Sequence, residues 1–472
     1  MSVIIDSDHK EYKRAIKMLN GETKEWAYDT ETTGLNVRKD EIIGFGISNG
    51  LKGFYFCHQY YEDGKLKEAL TREECLVILR LLKNRKLIMW NGSFDCRFTY
   101  HFFGIDLVDN LYIEGMLAKH TIDEWFPFGL KEVGVKIYGD QEKKEQKDLF
   151  ESIKTNGGTK TQYYKADRDI MGKYCIQDCH LTFRLAFNFV TKMNQKLKKF
   201  FFDDEVMPLY KTVTIPMELK GIPVDVKNLE QLQVDIQEDI AEYEEEIQNL
   251  ISPLLEEVFE PWYLWKNFTP SRTGAFAQAL IKYANLSLPQ TGSGAFSLAG
   301  KALESLEDSI YKTFLLKGGY LPNDVVREIQ LTMINGYMFN LSSKHHLKKL
   351  FFETLGEEPI SKTDKGNPQV DDKFLDVMAD KYKWASLLRD YNKLNKIKGT
   401  YIDRILDNQE NGIFYPSFQQ HKTVSGRYGS DLQQLPRPLE ENQASEVVRE
   451  YNNQIRKLFI AGENYVFIDS DY

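Results

Sequence analysis

Five residues in three short segments have the types and spacings that phosphodiester hydrolysis requires. In YDTETTGL, Asp29 and Glu31 are one residue apart at the end of an apolar run. If that run is a strand, its alternation turns both carboxylates to one side, where they can share a metal. In WNGSFDCRF, Asn91 to Asp95 lies where a strand pattern gives way to a helical one. In YCIQDCHLTF, Tyr174 and Asp178 are four residues apart, one turn along one helical face. Two Mg²⁺ or Mn²⁺ ions about 4 Å apart, held by hard carboxylate oxygens and water, activate a nucleophilic water and stabilise a leaving oxygen. A lone Asp-x-Glu pair is usually structural, so the order and context of the three segments carry the argument.

The elements needed to bring these groups together are legible as patterns. Strand-like runs cover Glu25 to Tyr28, Glu41 to Ser48, Gly53 to Phe56 and Lys86 to Trp90, and helical patterns cover Thr71 to Lys83 and Arg97 to Phe103. This is an α/β layout with a mixed central sheet. A Gly157-Gly158 loop precedes a long helical pattern from about Lys165 to Lys196. From Asp203 the chain turns mainly helical, with amphipathic stretches over Val226 to Leu254 and Asp372 to Leu406. Within it, the segments beginning at Phe268 and Thr291 are echoed by those beginning at Phe339 and Thr363, which reads as a tandem duplication. Ile413 to Phe418 and Tyr465 to Ile468 read as strands near the end. The domain boundaries expected are 1–200, 201–400 and 401–472.

Composition bounds the function class. The 472 residues are 42% hydrophobic and 13% aromatic, enough for two or three cores, and no apolar run is long enough for a membrane span. Five cysteines without a secretory signal suggest reduced thiols and a cytoplasmic location. The net charge of −9 runs against the Lys and Arg usually spent on phosphates. Carboxylate sites and a solvated acidic helix face over Glu238 to Glu246 account for it, while basic clusters at Lys344 to Lys349 and at Lys393, Lys396 and Lys398 remain available to DNA.

DxETTGL, NGxFD and YxxxD, in this order, resemble the three exonuclease motifs of the DEDDy class, the proofreading domain that precedes family-A DNA polymerases. The resemblance covers roughly residues 20 to 195. It implies an RNase H-like fold, with Asp29, Glu31, Asp95 and Asp178 as ligands of two Mg²⁺ or Mn²⁺ ions. Tyr174 would orient, and help deprotonate, the attacking water, and Thr32 and Leu35 would contact the terminal nucleotide, Leu35 wedged against its base, with Asn91 supporting its placement. Thr32 and Leu35 read equally well as turn and core residues. The substrate would be a frayed, single-stranded 3′ end, which mismatches supply more readily.

The second half resembles the front of a family-A polymerase. Met217, Glu218, Gly221, Ile222, Val224 and Asp225 keep its opening Met-Glu-x-x-Gly-Ile-x-Val-Asp pattern. Asn395 to Leu406 is similar to the thumb helix, with Lys396 and Lys398 as phosphate contacts. KTVSGRYGSDLQQLP resembles the T-x-T-G-R segment and keeps Thr423, Gly426, Arg427, Ser430, Gln433 and Pro436, although Ser425 replaces a threonine and the Ser430 to Gln433 spacing is short. The resemblance implies minor-groove contacts from Arg427, supported by Thr423 and Gln433, and a further primer-template contact from Arg456. The architecture implied is a mainly α thumb region followed by the start of an α+β palm.

IDSDY resembles the opening of polymerase motif A, with Asp471 as the first catalytic, metal-binding aspartate. One carboxylate does not make a two-metal polymerase site. The expectation is a 3′-5′ exonuclease and DNA-holding half whose polymerase activity needs a C-terminal half, as a separate chain in a split polymerase or through an intein or engineered junction. A processivity factor recruited by the thumb is a further partner the family admits. The alternatives are a stand-alone 3′-5′ exonuclease and a non-catalytic DNA-binding scaffold.

Overall fold

The computed structural model describes residues 2–262, 275–286, 309–326, 328–329, 339–363 and 365–468. These group into two compact units, each built from separated stretches of chain. One comprises Met1–Pro223, Gln409–Leu435 and Ala461–Tyr472, the other Val224–Asn408 and Pro436–Ile460.

The first unit is built on a six-stranded sheet in the order β1-β4-β3-β2-β7-β8. Its strands are β1 (Ser2–Ile4), β2 (Glu25–Thr32), β3 (Ile42–Ser48), β4 (Gly53–Cys57), β7 (Lys86–Met89) and β8 (Leu111–Glu114). The hairpin β5 (Gln59–Glu62) and β6 (Lys65–Glu68) stands apart from it. β2 and β3 pair antiparallel, as do β3 and β4, whereas β1 with β4, β2 with β7 and β7 with β8 run parallel. The mixed sheet expected from the sequence is therefore present. β3 and β4 are buried along their whole length, and this explains why they read as continuous apolar runs rather than alternating ones.

The helices of this unit are α1 (Lys10–Leu19), α2 (Arg72–Leu82), α3 (Gly92–Phe103), α4 (Gly115–Ile122), α5 (Leu130–Tyr138), α6 (Lys144–Thr155) and α7 (Arg168–Lys192). α2 begins with a capping box between Thr71 and Glu74, and α7 with Asp167 accepting from the amides of Asp169 and Ile170. α7 lies across β2, β3 and β4. Its close approach depends on Gly46, where an added Cβ would meet the Cys175 Sγ at 2.7 Å and the Cys179 Sγ at 2.8 Å. Gly46→Ala is therefore expected to cost about 1–3 kcal/mol through overpacking. A denaturant titration checks this, and an unchanged midpoint would show that α7 yields freely.

A second sheet joins distant parts of the first unit. β9 (Ile222–Pro223) pairs antiparallel with β11 (Ile413–Phe414), and β11 in turn with β10 (Gln409–Glu410). Tyr465 to Ile468, expected as a strand, is not one. Among the described residues no strand pairs with it, and its side chains are 63–88% exposed. Its backbone is left to water and to the turn bond from Tyr465 N to Gly462 O at 2.9 Å, so no ladder forms.

The second unit is helical. Val226–Trp262 buries Leu229, Leu232, Ile236, Ile240, Ile247 and Ile251 at helical spacing, while Glu238, Glu242, Glu245 and Glu246 face solvent. That is the solvated acidic face expected. The stretch from Asp372 to Leu406, read as one amphipathic pattern, breaks after Asp372–Ala379 and resumes at Lys383–Lys396. The basic cluster at Lys344 to Lys349 is only partly on the surface, because His346 and Lys349 are buried. Of the duplication, residues 268–274, 287–308 and 364 lie outside the described residues, as does Asp471.

Candidate active site

Asp29 and Glu31 stand on one face of β2, half-buried and buried respectively. α7 covers that face: the Cys175 Sγ lies 3.7 Å from an Asp29 carboxylate oxygen, and donor atoms of Asp29, Glu31 and Cys175 all fall within 4.8 Å of one another. The alternate residues of β2 turn to α3. The Tyr28 hydroxyl meets Thr99 Oγ1 at 2.7 Å, and one oxygen of Asp95 accepts from Thr30 N at 2.9 Å and Thr30 Oγ1 at 2.6 Å. Asp95 therefore reaches the end of β2 from the α3 side while α7 delivers Tyr174 and Asp178 from the other. A single strand end thus gathers all five residues singled out by their spacing.

The electrostatics are those of crowded like charges. Burial raises the Asp29 and Glu31 carboxyls well above their usual range, with further upward pushes from Asp95 on Asp29 and from Asp178 and Asp95 on Glu31. Asp95 is pushed up to about 7 by burial, against the two hydrogen bonds from Thr30. Tyr174 is raised well above its ordinary value, first by burial and then by Asp178 and Glu31, which favours the neutral phenol over the phenolate.

The donor set fits hard divalent cations. Carboxylate oxygens dominate it, and burial raises the Cys175 thiol, which argues against a thiolate site. A folded-state carboxyl pKa above the unfolded value adds stability below the unfolded pKa and loses it as pH rises through the folded one. From Asp95, the metal-free protein should melt at lower temperature at about pH 8 than at about pH 5.5, and Mg²⁺ should raise Tm more at the higher pH. Calorimetry with and without the ion reads both, and a Mg²⁺ effect independent of pH would refute the charge-crowding account.

Asn91 has φ 62°, a left-handed conformation that asparagine tolerates, just ahead of α3. Its amide donates to the buried carboxylate of Glu114, which also accepts from Gly92 N and Leu117 N. Glu114 thus fixes the turn from which Asp95 departs. Leu35 is 85% exposed and is not a core residue. It lines, with Asn91, Phe94, Arg97 and Met116, a cleft of about 360 Å³. The Thr32 hydroxyl donates to Gly34 O at 2.6 Å, shaping the turn that presents Leu35.

Three residues of the site were not singled out from the sequence as site residues: Glu114, Lys131 and Glu218. Lys131, on α5, meets both Asp178 and Glu145. Glu218 is buried; it accepts from Ser93 Oγ and from Phe418 N at 2.6 Å, and lies 3.4 Å from Arg97 Nε. Its place in the Met-Glu-x-x-Gly pattern was the only signal. Lys131 reads as an ordinary helix lysine.

Of the residues expected to contact DNA, Thr423, Arg427 and Gln433 belong to the first unit. Thr423 O accepts from His120 Nε2 at 2.9 Å, Thr423 Oγ1 donates to Arg427 O at 2.9 Å, and Gln433 Nε2 donates to Tyr428 O at 2.6 Å. The Arg427 side chain is exposed. In the second unit, Lys396 is exposed, Lys398 pairs with Asp403 at 2.9 Å, and Arg456 Nε donates to Pro436 O at 2.9 Å.

Residues 3–198 match the family model of the 3′-5′ exonuclease, and residues 324–472 that of DNA polymerase family A. The chain therefore carries a 3′-5′ exonuclease domain ahead of a segment that matches DNA polymerase family A. The DNA polymerase of Bacillus phage SP01 is 24% identical over 92% of this chain and 43% of that protein. The DNA polymerase of Escherichia phage T5 is 24% identical over 87% of this chain and 40% of that protein. The chain thus spans about two fifths of these relatives' length. Among solved structures, the POL domain of Pol1 from M. smegmatis, in complex with DNA primer-template and dNTP, shares the fold. Its TM-score is 0.54 at 14% identity, over 99% of this chain and 59% of that one.

Proposed function

We propose that this chain is the proofreading, DNA-holding part of a family-A DNA polymerase, removing 3′-terminal nucleotides by metal-assisted hydrolysis. The observation that carries this is the convergence of Asp29, Glu31, Asp95, Asp178 and Tyr174 on one strand end. Asp29, Glu31, Asp95 and Asp178 would hold two Mg²⁺ or Mn²⁺ ions. Bound there, such ions supply a water acidic enough to attack at neutral pH and a charge opposite the leaving oxygen.

The chain's own residues do the rest. Tyr174, neutral and fixed on α7, orients the attacking water. Asn91 and Leu35 at the cleft receive the terminal nucleotide, with Leu35 against its base and Thr32 holding the turn behind it. An exposed leucine lining this cleft suits an unpaired end, because only a strand freed from its duplex offers a bare base face. Arg427, Thr423 and Gln433 in one unit, and Lys396, Lys398 and Arg456 in the other, would contact primer-template. Polymerisation, through Asp471 and a C-terminal polymerase half, belongs to the same proposal.

Among the described residues no helix is long and apolar enough to cross a membrane. All five cysteines are unpaired and buried, which supports action in a reducing compartment such as the cytoplasm of a bacterial or phage-infected cell.

The test is a 5′-labelled primer-template incubated with Mg²⁺, with and without a chelator, and resolved on a denaturing gel. A ladder of stepwise 3′ shortening that chelation stops is expected. Internal cuts, or no degradation with ample Mg²⁺, would sink the exonuclease reading. Adding four nucleotides to the same reaction reads polymerisation.

A further inference from the structure

Lys131 is an ammonium set directly against one of the four carboxylates of the site. It is 7% exposed, and its Nζ contacts a carboxylate oxygen of Asp178 on one side and Glu145 on the other. It also lies 4.9 Å from the centre of the Tyr174 ring. Lys131 therefore touches both residues that α7 contributes to the site and is tethered by a carboxylate outside it. A lysine ammonium is a compact point charge that balances a carboxylate without coordination bonds. With no metal bound, it offsets part of the repulsion among four buried carboxylates.

We infer that Lys131 is a positioning residue that competes with a divalent cation for Asp178 and so sets the metal affinity of the exonuclease site. This rests on reading the carboxylates as a divalent-ion site. The Asp178 side of the cluster is then the more weakly held, because a cation there must displace or share with an ammonium. The Asp29 and Glu31 side has no ammonium in direct contact among the described residues, although the Lys131 charge also reaches Glu31. Glu145 matters too: by sharing the ammonium, it lowers the hold of Lys131 on Asp178.

The sign of the effect separates this role from a structural one. A lysine that merely braces the fold would, when removed, loosen the ligands and weaken metal binding. A competing lysine, when removed, strengthens it. The experiment is a titration of the full chain with Mn²⁺ at fixed pH, with free ion read by electron paramagnetic resonance and folding checked by circular dichroism.

Lys131→Met should bind Mn²⁺ about tenfold more tightly than the original protein, a fraction of the full Coulomb interaction at such separations. Exonuclease turnover should nevertheless fall, because Asp178 and Tyr174 lose their anchor. Lys131→Arg, which keeps the charge, should return Mn²⁺ affinity to near its original value. Unchanged or weaker binding in folded Lys131→Met overturns the inference. If that variant does not fold, Glu145→Gln replaces it. Freed from its tether, Lys131 should then bind Asp178 more fully and weaken Mn²⁺ binding, and unchanged or tighter binding overturns the inference. Asp29→Ala with Glu31→Ala separates the two levels. Mn²⁺ uptake indifferent to that double change overturns the metal site itself and this inference with it. Uptake that it abolishes, together with no tightening in Lys131→Met, overturns the role of Lys131 alone.

Discussion

Asp29→Ala combined with Glu31→Ala is expected to slow 3′ shortening by on the order of 10³-fold or more, leaving the fold intact. Metal ions contribute several kcal/mol of charge stabilisation in the transition state, and each 1.36 kcal/mol is a factor of ten in rate. Among the described residues these two carboxylates form one close donor group with Cys175, so removing both leaves Asp95 and Asp178 with too few carboxylate oxygens to hold two ions. Thermal stability of the metal-free double variant should hold or rise, because two crowded buried charges disappear. Single-turnover gels give the rate and calorimetry gives the stability. A rate within tenfold of the original would mean that the chemistry lies elsewhere.

Glu218→Ala carries the second large effect, on stability. The change would strip Phe418 N and Ser93 Oγ of their acceptor and leave the Arg97 guanidinium, only 3.4 Å from the carboxylate, without a counter-charge. Breaking a buried charge pair from one side costs about 3–5 kcal/mol. The Ser93 backbone amide also donates to the Tyr210 hydroxyl, and Ser93 sits two residues before Asp95. The loss should therefore reach exonuclease turnover as well. Urea unfolding of Glu218→Ala beside Glu218→Gln measures it, and a cost below about 1 kcal/mol would show that the cluster is wet and replaceable.

The parts of this architecture legible in the sequence were those where one local rule decides the outcome. β3 and β4 could be read from uninterrupted apolar runs, and α7 from a long helical pattern. Asp29, Glu31, Tyr174 and Asp178 could be paired because strand and helix periods are fixed. Asp95 needed its context, Asn91 through Phe94, since nothing in spacing alone links it to β2. What escaped depended on partners far away in the chain. Lys131 is one lysine among many until α5 places it between Asp178 and Glu145. Glu114 acquires meaning only when the Asn91 amide arrives. Tyr465 to Ile468 failed for the converse reason: a run of apolar residues specifies a strand only when a neighbour supplies its hydrogen bonds. The break between Ala379 and Lys383 is marked by neither proline nor glycine, and nothing in the sequence announces it.

The pairing of β9 with β11 also has a consequence in time. A chain emerging from the ribosome can assemble the six-stranded sheet and α7 once residue 192 is out. Residues 222–223, however, must wait for 413–414, and Glu218 for the amide of Phe418, until the intervening helical stretch has been made. Closing so long a loop adds little to the equilibrium cost, because that cost grows only with the logarithm of length, but it slows the step. During that interval Glu218 has Ser93 and Arg97 but lacks one of its hydrogen-bond donors. A nascent chain halted before residue 409 would be a sheet in which buried Glu218 still lacks the Phe418 amide, and the final seal of the unit is a late event in its synthesis.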